Sequence, residues 1–130
     1  MGSHPFLTVA RGKSAEEAFW RAVAEAIQAH GDDGETGTIA EKWSFVEFRA
    51  PRAVRSFDLA RWALYFDNPA SEGRLADMPL ELEPLVARIA DVARGKAGPA
   101  AAIGLAPEES IDHAPLAGDA LYLFIGWAAY

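Results

Sequence analysis

No cysteine occurs in this chain. That absence excludes disulfides, thiolate-bound zinc, iron–sulfur ligation and a cysteine nucleophile together, and it fits the cytoplasmic location expected here. Histidine is scarce: His4, His30 and His113 stand alone, none with a second histidine or a carboxylate at metal-ligand spacing. Asp112-His113 is an adjacent pair, not a triad. No apolar run approaches the roughly 18 residues of a membrane span, and the first residues lack the basic and hydrophobic stretches of a signal peptide. Positive charge is also in deficit, with 12 Lys and Arg against 19 Asp and Glu and a formal charge of −7. Binding to nucleic acid or to an anionic membrane relies on a basic surface that releases counterions. The partner expected is therefore a small molecule or another protein, with no membrane and no direct nucleic-acid contact.

What is present describes an ordinary globular domain. The 130 residues, 51% hydrophobic and 24% charged, are enough to bury roughly two thirds of the unfolded surface without a disulfide or metal. Met1-Gly2-Ser3-His4 has the look of an expression remnant, which leaves residues 5–130 as a single α/β domain.

Pro5 to Arg11 reads as a short strand. Ser14 followed by Glu17 has the spacing of a capping box. After it Ala15, Ala18, Phe19, Ala22, Val23, Ala26 and Ile27 recur at helical spacing, with Glu16, Glu17, Arg21, Glu25 and Gln28 opposite. Small Ala18, Ala22 and Ala26 suit a helix lying close on a sheet, and Gly31 can take the turn after the last helical residue. Thr38 to Phe48 reads as an extended segment with a conflict: Ile39, Trp43 and Phe45 share one parity with Glu41 and Glu47. A bulge near Lys42 or Trp43 would relieve it.

Ser56 is placed to cap a second helix through Phe66, although Trp62 to Phe66 has strand propensity as well. Asn68 to Met78 is a long polar loop suited to a mobile flap. Pro84 suits the first turn of a third helix, with Leu85, Val86, Ile89, Ala90, Val92 and Ala93 as its buried stripe and Gly95 as its stop. Ala100 to Leu105 and Ala120 to Tyr130 are strands separated by the loop Ala106 to Gly118; the last is apolar at both parities and so belongs in the middle of a sheet. The order β, α, β, α, α, β, β predicts an α/β (α+β) fold: a small mixed sheet of about four strands packed with two or three helices, as a two-layer or partly three-layer sandwich.

The segment with most chemistry is Gly31 to Lys42. Gly31-Asp32-Asp33-Gly34-Glu35-Thr36-Gly37 holds three glycines and three acids in seven positions, so it is a turn. Thr36 and Thr38 place hydroxyls among glycines whose backbone can approach a ligand. The segment lacks the Lys-Ser/Thr ending of a P-loop and repels anions through its acids. Asp32, Asp33 and Glu35 do not follow EF-hand spacing, so no metal and no cofactor is expected. Glu41 and Lys42 interrupt an apolar stretch, either at a half-solvated bulge or in a pocket where burial would tune them for acid–base work. His30, in the last turn of the first helix, interacts with the helix dipole or steers a ligand. The candidate ligand-binding set is thus Thr36, Thr38, Glu41, Lys42 and His30, with Glu41 the candidate catalytic residue. Arg49, Arg52 and Arg55 form a basic cluster that balances charge or grips an anion. Trp20, Trp43, Trp62 and Trp127 read as core, with the alternative that one beside the glycine turn stacks on a ring.

Gly37-Thr38-Ile39-Ala40-Glu41-Lys42, Gly98-Pro99-Ala100 and the closing Phe124-Ile125-Gly126-Trp127-Ala128 together resemble small phage and bacterial proteins to which no activity is assigned. In that group an aromatic residue often precedes the Thr-Ile loop, where this chain has Glu35-Thr36. The resemblance implies a phage or mobile-element origin and marks the same Thr38 to Lys42 segment. Three functions follow: a small binding module using the Gly34–Lys42 loop, a structural or regulatory homodimer acting through an apolar face such as that around Trp62 and Phe66, and a small hydrolase or transferase using Glu41. The balance favours the binding module over an enzyme.

Overall fold

The first strand, β1 (Ser3–Gly12), takes in Ser3 and His4, which pair with Ala129 and Ala128. It belongs to a computed structural model that describes residues 3–31, 36–66, 75–95, 97–105 and 119–129. Helix α1 (Ala15–His30) begins where the Ser14 hydroxyl accepts the Glu17 amide at 3.2 Å, and Glu17 pairs with Arg21 one turn on. It ends at Gly31, whose φ of +86° suits glycine and whose amide donates to the Ile27 carbonyl. Ala15, Ala18, Phe19, Ala22 and Val23 are buried. The approach to β1 is close enough that a Cβ on Gly12 would lie 2.6 Å from the Ala18 nitrogen.

The segment expected to be extended from Thr38 to Phe48 is not one strand. Thr38 caps a 3-10 turn, Ile39–Glu41, by accepting the Ala40 amide on its hydroxyl, and β2 is only Phe45–Phe48. The turn, not a bulge, resolves the Glu41 part of the conflict by rolling Ile39 into the core and leaving Glu41 half-buried, while Phe45 and Glu47 still share a face of β2 and Glu47 is exposed. Helix α2 (Ser56–Tyr65) includes the stretch through Tyr65 that also had strand propensity. Ser56 does not cap it. Its buried hydroxyl donates to the Gly104 carbonyl at 2.9 Å, and Arg55 occupies the cap position without a side-chain bond. A 3-10 turn, Leu80–Leu82, leads into α3 (Glu83–Ala93), where Pro84 sits in the first turn and Val86, Ile89, Ala90 and Ala93 are buried. Strands β3 (Ala100–Gly104) and β4 (Ala120–Ala129) complete the set. Asp32 to Glu35, most of the expected flap and all of the Ala106 to Gly118 loop lie outside the described residues.

The sheet order is β1-β4-β3-β2, with β4 antiparallel to both neighbours and β2 parallel to β3. Strand β4 is central, in keeping with its two apolar faces. On one face α1 packs with Phe6, Ala10, Ala100, Ala102, Phe124 and Ala128; Phe19 lies 5.1 Å from the Phe45 ring and 5.7 Å from Phe124. On the other face α2 and α3 cover Ala101, Ile103, Leu123 and Ile125. The fold is an α+β sandwich on a mixed four-stranded sheet, with helices on both sides and so three layers. The sheet has two unlike ends: one carries the carboxyl ends of β2 and β3, the other their amino ends with Ala129.

Candidate functional site

The threonine segment lies at the amino ends of β2 and β3. The Gly37 amide donates to the Ala129 carbonyl at 2.7 Å, and the Ala100 amide to Ser44 at 3.0 Å. Thr36, Thr38 and Glu41 come together as one hydrogen-bonded cluster. The Glu41 carboxylate accepts from the Thr36 amide (3.1 Å) and hydroxyl (2.5 Å), and the two threonine hydroxyls are 2.8 Å apart. Their polar atoms hold the turn closed. Lys42 is turned away from this cluster and is only 2% exposed. Its ammonium donates to the Gly95 carbonyl at 2.7 Å, just past the end of α3, and its stem passes Gly126, where an added Cβ would sit 3.4 Å from Cε. Burial pushes the Lys42 amine down from 10.5 to about 8, while the negative end of the α3 dipole favours its charge. His30 is exposed in the last turn of α1.

The opposite end of the sheet carries an opening. In α/β folds ligands gather outside the carboxyl ends of parallel strands, because chain leaving those ends for the next helix forms loops around a crevice. Here β2 and β3 are the parallel pair. The crossover from β2 runs through Arg49 to Arg55 and reverses at Pro51–Val54, where the Val54 amide donates to Pro51 and Ala53 takes a φ of +70°. That left-handed backbone is strained for alanine. Beside it is a cavity of about 580 Å³. Arg49, Arg52, Arg55 and Glu47 supply its charge, the first turn of α2 one flank, and Phe48, Val54, Leu105, Leu121 and Tyr122 the carbon surface. All three arginines are exposed, and among the described residues none of them makes an ion pair. The first-turn amides of α2 lack a side-chain cap. Asp58 in that turn is engaged with Arg61 at 3.4 Å.

Sequence reasoning noticed the three arginines but missed Leu105, Leu121 and Tyr122. The available signal was the position of the cluster, three residues apart each time, between a strand and a helix. Of the tryptophans, Trp62 and Trp127 join the core and spend their indole N–H groups on Asp77 (3.0 Å) and the Leu64 carbonyl (3.2 Å). Trp20 and Trp43 do not: they are 48% and 77% exposed. Trp43 directly follows Lys42. Arg61 lies over the Trp62 ring and bonds Asp77 at 2.9 Å, which holds the Asp77 carboxyl below its ordinary value.

Among the described residues no cluster of three His, Cys, Asp or Glu side chains is placed to hold a metal ion, and no helix is long and apolar enough to cross a membrane. No known protein family, curated protein or solved structure is significantly similar to the chain.

Proposed function

We propose that this chain is a small binding module, of the phage or bacterial kind that its Gly37–Lys42 segment resembles, and that it holds an anionic small molecule in the cavity at the carboxyl ends of β2 and β3. One observation carries the reading. In a chain of net charge −7, three arginines without ion-pair partners among the described residues stand around an opening of about 580 Å³. Side chains of one sign in a concave site concentrate the field there even when the whole molecule has the opposite sign. The volume lies within the roughly 300–1,000 Å³ typical of small-molecule sites. In this reading the threonine cluster at the other end is a structural clasp.

Thermal-shift measurements with phosphate, sulfate and di- and tricarboxylates test the proposal. At least one anion raises the melting temperature, and the Arg52→Gln/Arg55→Gln double variant loses the response; saturation at 100 times Kd contributes about 2.7 kcal/mol. The proposal falls if no anion shifts the wild type or if the variant responds equally.

A second reading, a homodimer, is favoured by β1, a ten-residue outermost strand whose Leu7 is 45% exposed beside an apolar groove shared with Phe57 and Tyr65 of α2. Sedimentation across a concentration series tests it. A monomer throughout excludes it.

A further inference from the structure

The charge and the walls of the same cavity define its ligand more narrowly. Resting on the reading of that cavity as an anion site, we infer that the ligand is a small phosphomonoester joined to an apolar ring. Among the described residues the lining holds three arginines and one carboxylate, Glu47, a surplus of two positive charges. A phosphomonoester carries about −1.5 to −2 at pH 7, against −1 for a carboxylate. Guanidinium forks also match phosphate oxygens in pairs. The first turn of α2, which has no side-chain cap, borders the same region and leaves backbone amides in need of acceptors.

Size and lining supply the second half. A bare phosphate would occupy only a fraction of about 580 Å³. Carbon from Phe48, Val54, Leu105, Leu121 and Tyr122 also lines the cavity; Phe48 and Tyr122 belong to opposite faces of the sheet where it ends, so each offers a separate ring for offset or edge contact. The net charge of −7 disfavours a polyanion. A free small molecule therefore fits better than a nucleic-acid end.

Calorimetric titration of the full chain with inorganic phosphate, phenyl phosphate and benzoate tests this. Phenyl phosphate binds about tenfold more tightly than inorganic phosphate, since stacking one ring is worth about 1–3 kcal/mol, and more tightly than benzoate, whose single charge matches the arginines less well. Arg55→Gln weakens both phosphate probes, and the exposed position of Arg55 keeps the fold intact. Equal affinity for phenyl phosphate and inorganic phosphate removes the ring from the inference. Equal affinity for benzoate and phenyl phosphate removes the phosphomonoester. Either result overturns the inference while the anion site stands, whereas no heat with any probe overturns the anion site as well.

Discussion

Replacing Lys42 by methionine tests the reading of the buried amine directly. Methionine fills a similar volume without the charge. Folded Lys42 gives up its proton near pH 8, while an unfolded lysine does so at 10.5. Between those values the unfolded state binds the extra proton, so stability rises with pH across that window and is flat below it. At 1.36 kcal/mol per unit the rise amounts to on the order of 3 kcal/mol. The substitution also removes a hydrogen bond to Gly95, worth about 1 kcal/mol net. Lys42→Met is thus more stable than the wild type by up to about 2 kcal/mol below pH 8, and it loses that advantage as pH approaches 10.5. Urea denaturation of both proteins, followed by tryptophan fluorescence at pH values on either side of 8, measures the difference and cancels groups common to the two. A pH-independent gap, with the variant less stable throughout, would refute the argument. It would mean that the Gly95 carbonyl and the α3 dipole offset the loss of hydration in full.

Gly12→Ala places a methyl group 2.6 Å from backbone in α1, and backbone cannot swing aside, so a loss of about 2 kcal/mol or more in urea denaturation is expected; a neutral result means that α1 sits farther from β1. Ala53→Gly relieves the left-handed strain and raises stability by about 1 kcal/mol, read as a higher melting temperature. No rise would show that the turn is unstrained. Because Arg61 holds the Asp77 carboxyl low, the support that pair gives is present above the unfolded carboxylate value and is lost as pH falls through the folded one. Trp62 fluorescence should follow that acid step, and Asp77→Ala should abolish it.

Helix α1 was legible because everything that defines it is local: a serine cap, an alanine and phenylalanine stripe at 3.6-residue spacing, and a glycine stop. Helix α3 and the two-faced β4 were readable on the same terms. The turn at Ile39 was not, since three bonds to distant residues hold that region: Gly37 to Ala129, Ser44 to Ala100 and Lys42 to Gly95. The parity of Glu41 and Glu47 exposed a conflict, but the bulge it suggested is not the solution the chain takes. The cavity was half legible. Arg49, Arg52 and Arg55 are visible as a cluster, but the wall opposite them comes from strands made neighbours by the order β4-β3-β2, which no local pattern encodes. The four tryptophans show the same limit, because one residue type serves equally as core and as surface.

The place of β4 has a kinetic consequence. It is the last of the four strands along the chain, yet it lies between β1 and β3, with Gly12 opposite Ala120. During synthesis β1 must therefore wait without a strand partner and β3 with β2 alone, and a sheet closed by such distant contacts assembles slowly and late. Ala120, Leu121 and Tyr122 of that same strand also line the arginine cavity. The lining of the cavity and the completion of the sheet consequently arrive in a single event, so a ligand of the kind proposed for this cavity would recognise finished molecules and pass over nascent ones.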